Sequence, residues 1–194
     1  LDGTDADVLE PSLVLTTGQA AGEVEGAPVL ITNAFGQGRA ITLNLAMNRL
    51  LRQRTRGNTQ SYADIVAAAL SSGGVAPYCE VTREDGQSPR CIMQAMFTDG
   101  AARYLCIEQD LLALRLPDQV GRVTLPEPRI VYDVRAGKRV GEGLVSDWDV
   151  TFGRGNPLVY ALLPYEVAAV TVEAPAQAGA GEAISVKTSV SITG

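Results

Sequence analysis

What most constrains this chain is a succession of short, apolar-alternating segments separated by turn residues, which begins after Pro77 and continues to Val172. Tyr78 to Arg83 and Arg90 to Phe97 flank Glu84-Asp85-Gly86. Arg103 to Gln109 follows the pair Asp99-Gly100. Arg122 to Leu125 and Arg129 to Val134 precede a turn at Ala136-Gly137. Asp147 to Phe152, Leu158 to Leu163 and Val167 to Val172 close the series. A two-residue period puts alternate side chains on opposite faces of a strand, and Asp-Gly permits a tight hairpin. About seven or eight such strands predict an antiparallel, Ig-like β-sandwich over residues 76–174.

The region before it, residues 1–75, reads as a partial α/β layer made of a β-hairpin and one helix. Residues 1–12 are acidic and irregular. Leu13 to Thr16 is expected to form a short strand, and Gly18, Gly22 and Gly26 to mark a loop. Pro28 to Asn33 and Ala40 to Leu45 are the two hairpin strands. In the second, Ile41, Leu43 and Leu45 alternate with Thr42 and Asn44. A helix over residues 59–72 carries Tyr62, Ile65, Val66, Ala69 and Leu70 at i, i+3, i+4, i+7 and i+8, one apolar stripe. Asn58 or Ser61 can cap its start and Gly73-Gly74 can end it. The spacing predicts that Ile65, Val66 and Leu70 pack on the hairpin. The fold class expected overall is mainly β.

Residues 175–194 form a small-residue linker and a final strand. Ile184, Val186, Val190 and Ile192 alternate there with Ser185, Lys187, Ser189 and Ser191. This strand either closes the sandwich or begins another Ig-like module. Such a tail points towards a secreted or periplasmic setting. The chain starts at Leu1 rather than Met, so an excised or mature fragment is expected.

Composition removes several functions. Hydrophobic residues make up 46% of the chain and charged residues 20%, enough for a core without metals or disulfides. A net charge of -6 repels phosphate backbones, so nucleic acid is not expected as a partner. No apolar run reaches the ~18 residues that a membrane-spanning helix needs. Histidine is absent, which excludes Ser-His-Asp and Cys-His catalysis and removes the commonest transition-metal ligand. No cofactor and no metal are expected, and the isolated chain is expected to have no catalytic residues. Cys79, Cys91 and Cys106 match no zinc spacing. Cys91 and Cys106 fall near diagonal positions of one hairpin. A disulfide between them competes with reduced thiols packed as small hydrophobes, and the second is preferred.

Four candidate sites remain. Gly36-Gln37-Gly38 contains a G-x-G, but a dinucleotide fingerprint needs a third glycine and a following helix, and here a strand follows. Arg49, Arg52, Arg54 and Arg56 form a basic stretch in an acidic chain. They are either a solvated face or an interface that pairs with carboxylates. Trp148 is the only tryptophan. It shares a strand face with Val150 and Phe152, which favours a buried aromatic over a sugar-stacking platform. Asp147 and Asp149 project from the other face. Paired carboxylates serve glycoside hydrolysis only when they flank a bond, and calcium would need further ligands, so a polar outer face is the better reading. Trp148, Asp147 and Asp149 are nonetheless the candidate carbohydrate-binding residues.

The stretch Gly26-Ala-Pro-Val-Leu-Ile-Thr-Asn-Ala-Phe-Gly-Gln-Gly-Arg-Ala-Ile-Thr-Leu-Asn44 resembles an element of β-galactosidases of glycoside hydrolase family 42 and related large glycosidases. In that family it resembles the end of an amidotransferase-like trimerisation domain, where two strands around a G-x-G hairpin precede a terminal helix. Arg129-Ile-Val-Tyr-Asp-Val-Arg-Ala-Gly-Lys138 and Leu158-Val-Tyr-Ala-Leu-Leu-Pro164 are similar to the C-terminal β-sandwich pattern that follows. The resemblance covers residues 26–173. It implies a non-catalytic structural or oligomerisation region of a β-galactosidase-like protein, because the family's catalytic glutamates lie on a barrel that is not in this sequence. The partners implied are other domains of the parent chain and a second copy in a homo-oligomer. The alternative is a carbohydrate-binding β-sandwich module, and an exposed Trp148 would favour it.

Overall fold

The computed structural model describes residues 9–46, 60–111 and 116–193. Among these the fold is mainly β, with antiparallel sheets and one helix. Eleven strands occur in the described chain: β1 (Gln19–Val24), β2 (Ala27–Phe35), β3 (Gly38–Leu43), β4 (Glu80–Arg83), β5 (Ile92–Asp99), β6 (Ala102–Gln109), β7 (Gln119–Asp133), β8 (Lys138–Phe152), β9 (Leu158–Leu163), β10 (Glu166–Glu173) and β11 (Lys187–Thr193). The helix α1 spans Gln60–Ser72. Three sheets result: β1-β2-β3, then β4-β7-β9-β6-β5 with β8 added beside β7, and the pair β10-β11. The chain forms two compact units. One draws on Leu1–Met93, Glu108–Val123 and Asp149–Pro157, and the other on Gln94–Ile107, Thr124–Trp148 and Leu158–Gly194.

In the first unit, β2 and β3 form the hairpin read from the sequence, with Phe35 opposite Gly38 and Gly36 at positive φ in the turn. Asn44 follows β3 and is buried because its amide closes a ring of bonds. Its Nδ2 donates to the Pro28 and Glu10 carbonyls at 2.9 Å each, and its Oδ1 accepts from the Glu10 N–H at 3.1 Å. That clamp holds residues near Glu10 against the sheet, and Leu13 to Thr16 are not a strand. The neighbouring Gly22 segment, expected as a loop, is instead strand β1. Its register against β2 shifts on either side of Gly22. A bulge at glycine lets a segment with turn-like composition keep its pairing.

Helix α1 ends in a Schellman arrangement. Gly74 sits at positive φ, its N–H donates to the Ser71 carbonyl at 2.9 Å, and the Val75 N–H donates to the Leu70 carbonyl at 3.0 Å. The Arg39 guanidinium of β3 donates to the Ser72 carbonyl at 2.5 Å. A cation at a helix C-terminus also opposes the negative end of the macrodipole. The helix face turned inward is Ile65, Ala69 and Ser72, spaced i, i+4 and i+7. Val66 and Leu70, expected in the core, lie outside it, and Leu70 is 50% exposed. The stripe in the sequence is wider than the surface this unit offers, so one edge of it stays bare.

In the second unit, β9 lies between β6 and β7. Tyr104, Leu105 and Cys106 face Ala161, Tyr160 and Val159, while Val131 and Tyr132 face Leu162 and Ala161. A strand paired on both sides and covered on both faces can be apolar throughout, and Leu158–Leu163 is. β7 and β8 are longer than expected. Arg122–Leu125 and Arg129–Val134 are parts of one strand that runs through Pro126 and Pro128, and β8 begins at Lys138 rather than Asp147. Gly141 and Gly143 in β8 take positive φ, a turn signal inside a strand, which hid it.

The pair β10-β11 forms a sheet of its own, tied to its unit where β10 begins: the Val167 N–H donates to the Tyr132 hydroxyl at 3.0 Å, and Val167 packs against Ala102, Ile130, Ala161 and Leu163. Val170 faces Val190, Thr171 faces Ser189, and Glu173 faces Lys187, with an ion pair of 3.5 Å at that end. Alternation puts Val170, Val172, Val190 and Ile192 on one side and Thr171, Glu173, Ser189 and Ser191 on the other. The final strand thus joins neither edge of the six-stranded sheet.

Candidate functional site

Strand β8 ends with strict alternation. Asp147, Asp149 and Thr151 are exposed, whereas Trp148, Val150 and Phe152 are buried. Trp148 is only 7% exposed, and its ring meets Tyr160 of β9 edge-to-face with centroids 5.0 Å apart. Such a pair supports the core and presents no flat face to a ligand. Burial pushes the Tyr160 phenol above its ordinary range; the Trp148 indole opposes this and the Asp133 carboxylate adds to it.

The two aspartates have different partners. Asp147 accepts from the Ser146 hydroxyl at 3.1 Å. Asp149 accepts from Arg122 of β7, whose Nε and Nη2 both approach its Oδ1 at 2.9 Å. Both side chains of that ion pair are open to solvent, 53% for Arg122 and 73% for Asp149. No group of three or more His, Cys, Asp or Glu side chains able to hold a metal occurs among the described residues.

The Arg122–Asp149 pair lines a cleft of about 580 Å³ in the first unit, together with Arg83, Glu84, Val120 and Gly121. Its floor is tight. A side chain at Gly121 would come within 2.2 Å of the Thr82 carbonyl oxygen and 3.1 Å of the Phe152 ring. Glycine is required there by close approach of the two strands. Arg83 also holds Asp85 at 2.8 Å, and its Nε is buried without a hydrogen bond. Of these residues Asp149 is a candidate legible in the sequence, and Arg83, Glu84 and Arg122 are not. The pairing of Arg122 with Asp149 spans 27 residues, and no local spacing reveals it.

Of the remaining candidates, those among the described residues do not line the cleft. Arg49, Arg52, Arg54 and Arg56 lie outside the described residues. Gly36 and Gly38 belong to the β2–β3 hairpin. Cys79, Cys91 and Cys106 form no disulfide. Burial pushes the Cys79 thiol up to about 11, opposite to the depressed value of a nucleophilic cysteine. Cys91 takes positive φ, and its carbonyl accepts the Asp110 N–H at 2.7 Å. Beside it the buried Gln119 amide accepts the Arg90 N–H at 2.8 Å and donates to the Arg90 carbonyl at 2.9 Å. Gln119 also donates to Gln109 at 3.3 Å, and Gln109 donates to the Leu116 carbonyl at 3.3 Å. These buried amides satisfy turn backbone that would otherwise lose its hydrogen bonds, a structural duty.

No protein-family model matches the chain, and no curated protein matches it. A solved structure, the crystal structure of β-galactosidase from Bacillus circulans sp. alkalophilus, aligns with a TM-score of 0.44 and 15% identity over 75% of this chain. The aligned part is 18% of that enzyme, so the chain spans a minor share of its length.

Proposed function

We propose that this chain is a non-catalytic accessory region of a glycoside hydrolase-like protein, of the β-galactosidase kind, that works through contacts with other domains or a second copy. The sequence resemblance over residues 26–173 supplies the kind of parent protein. The observation that carries the contact role is apolar surface left bare on one side of regular elements. Val66 and Leu70 stand i, i+4 on the outer side of α1, and Val170, Val172, Val190 and Ile192 share one side of β10-β11. Aligned bare side chains of this kind mark an interface more than scattered ones do. The competing reading, a carbohydrate-binding module built on Trp148, needs an exposed aromatic, and Trp148 is buried.

The test compares Leu70→Asp in the isolated chain and in the whole protein. An exposed site tolerates the change within about 0.5 kcal/mol in the isolated chain. Burying an unpaired carboxylate in an interface costs far more, so the whole protein is expected to lose mass in ultracentrifugation or melt at a lower temperature. Equal, negligible effects in both settings would remove the contact role from α1.

A further inference from the structure

The cleft lined by Arg83, Glu84, Val120, Gly121, Arg122 and Asp149 has a chemistry that the contact role does not use. Its volume of about 580 Å³ lies within the range of small-molecule sites, ~300–1,000 Å³. Two guanidinium groups and two carboxylates line it, so its formal charge balances. A net anion entering it meets Glu84 and Asp149, and Asp85 beside Arg83. A net cation meets Arg83 and Arg122. A neutral ligand meets neither penalty.

The lining groups also divide sharply by hydrogen-bonding type. A guanidinium only donates and an ionised carboxylate only accepts. Where the two stand side by side, as Arg122 and Asp149 do at 2.9 Å, neighbouring ligand groups that each donate and accept can satisfy both. Vicinal hydroxyls have that property. The exposed Val120 side chain and the bare Gly121 backbone add a small apolar strip for C–H surface. Arg83 adds a second guanidinium to the lining, held by Asp85 at 2.8 Å.

We infer that this cleft binds a neutral polyhydroxylated ligand, a saccharide, through the Arg122–Asp149 pair. With no aromatic ring among the described lining residues, affinity is weak and set by hydrogen bonds. The experiment is a two-dimensional amide NMR titration of the chain with lactose, cellobiose, glycine and inorganic phosphate, each alone at matched ionic strength. The expected result is saturable movement of the Thr82–Gly86, Val120–Arg122 and Asp149 signals with at least one disaccharide and with neither glycine nor phosphate. The double variant Arg122→Met, Asp149→Leu removes an exposed pair, and its unchanged signals elsewhere certify the fold. It is expected to weaken the disaccharide by about tenfold or more, the loss of one charged hydrogen bond. Saturation by glycine or phosphate instead, no saturable movement with either disaccharide, or sugar binding that survives the double variant would each overturn the inference.

Discussion

Strands β9 and β10 are neighbours in sequence, similarly apolar, and opposite in fate. Leu158–Leu163 is paired on both sides, and Leu162 is 2% exposed. Glu166–Glu173 pairs with one described strand, β11, and Val170 facing Val190 leaves both more than half exposed. A lone two-stranded ribbon is marginal in water, and three or more strands or a covering layer are normally needed. Residue pattern therefore decides that a segment extends, while neighbours decide whether extension stabilises. The contrast bears on the proposed contact role: β9 is buried within the fold, and β10-β11 leaves Val170, Val172, Val190 and Ile192 exposed.

The largest expected effect tests β9. Leu162→Ala removes a buried side chain and is expected to cost about 2–5 kcal/mol in denaturant unfolding. Val170→Ala, the matched change on β10, should stay within about 0.5 kcal/mol in the same chain. Equal costs would abolish the contrast between the two strands.

The next effect lies at the floor of the cleft. Gly121→Ala places a methyl group 2.2 Å from the Thr82 carbonyl oxygen, and overpacking of this kind costs about 1–3 kcal/mol. Its midpoint in urea should fall clearly below that of the parent chain. An unchanged midpoint would mean that β4 and β7 separate freely and that the cleft has no fixed floor.

A smaller effect follows from Cys79. Its thiol rises from an ordinary 9.0 to about 11 because burial disfavours the thiolate. The unfolded chain therefore releases this proton first as pH rises. The contribution is fully present below pH 9.0 and is lost as pH climbs towards about 11. Over that window it amounts to ~2 kcal/mol. Unfolding measured from pH 8 upwards should show this slope, and Cys79→Ala should remove the part owed to the thiol. A Cys79→Ala chain with the same slope would assign it to other groups.

Much of the architecture was legible because local chemistry fixes it. Gly36 and Gly100 sit at positive φ in turns the sequence marks, and the strands around them fall where alternation places them. Gly74 ends the helix as its position suggests. Other features depend on distant partners. Asn44 looks like an outward strand residue, yet it is buried by bonds to Glu10 and Pro28. The orientation of α1 departs from the expected one because a wide apolar stripe does not say which edge is covered. Trp148 and the aspartates separated by face as the period requires, but the cleft needs Arg83 and Arg122 beside Asp149, and only the sheet joins them.

The central claim is that the bare sides of α1 and β10-β11 are covered in the whole protein. Hydrogen exchange measures this most directly, by comparing the isolated chain with the whole protein residue by residue. Amides of β9 should be equally slow in both, because their protection is internal. Amides of Val66 to Leu70, Val170 to Val172 and Val190 to Ile192 should exchange fast in the isolated chain and slow markedly in the whole protein. Identical fast exchange of these amides in both would contradict the account.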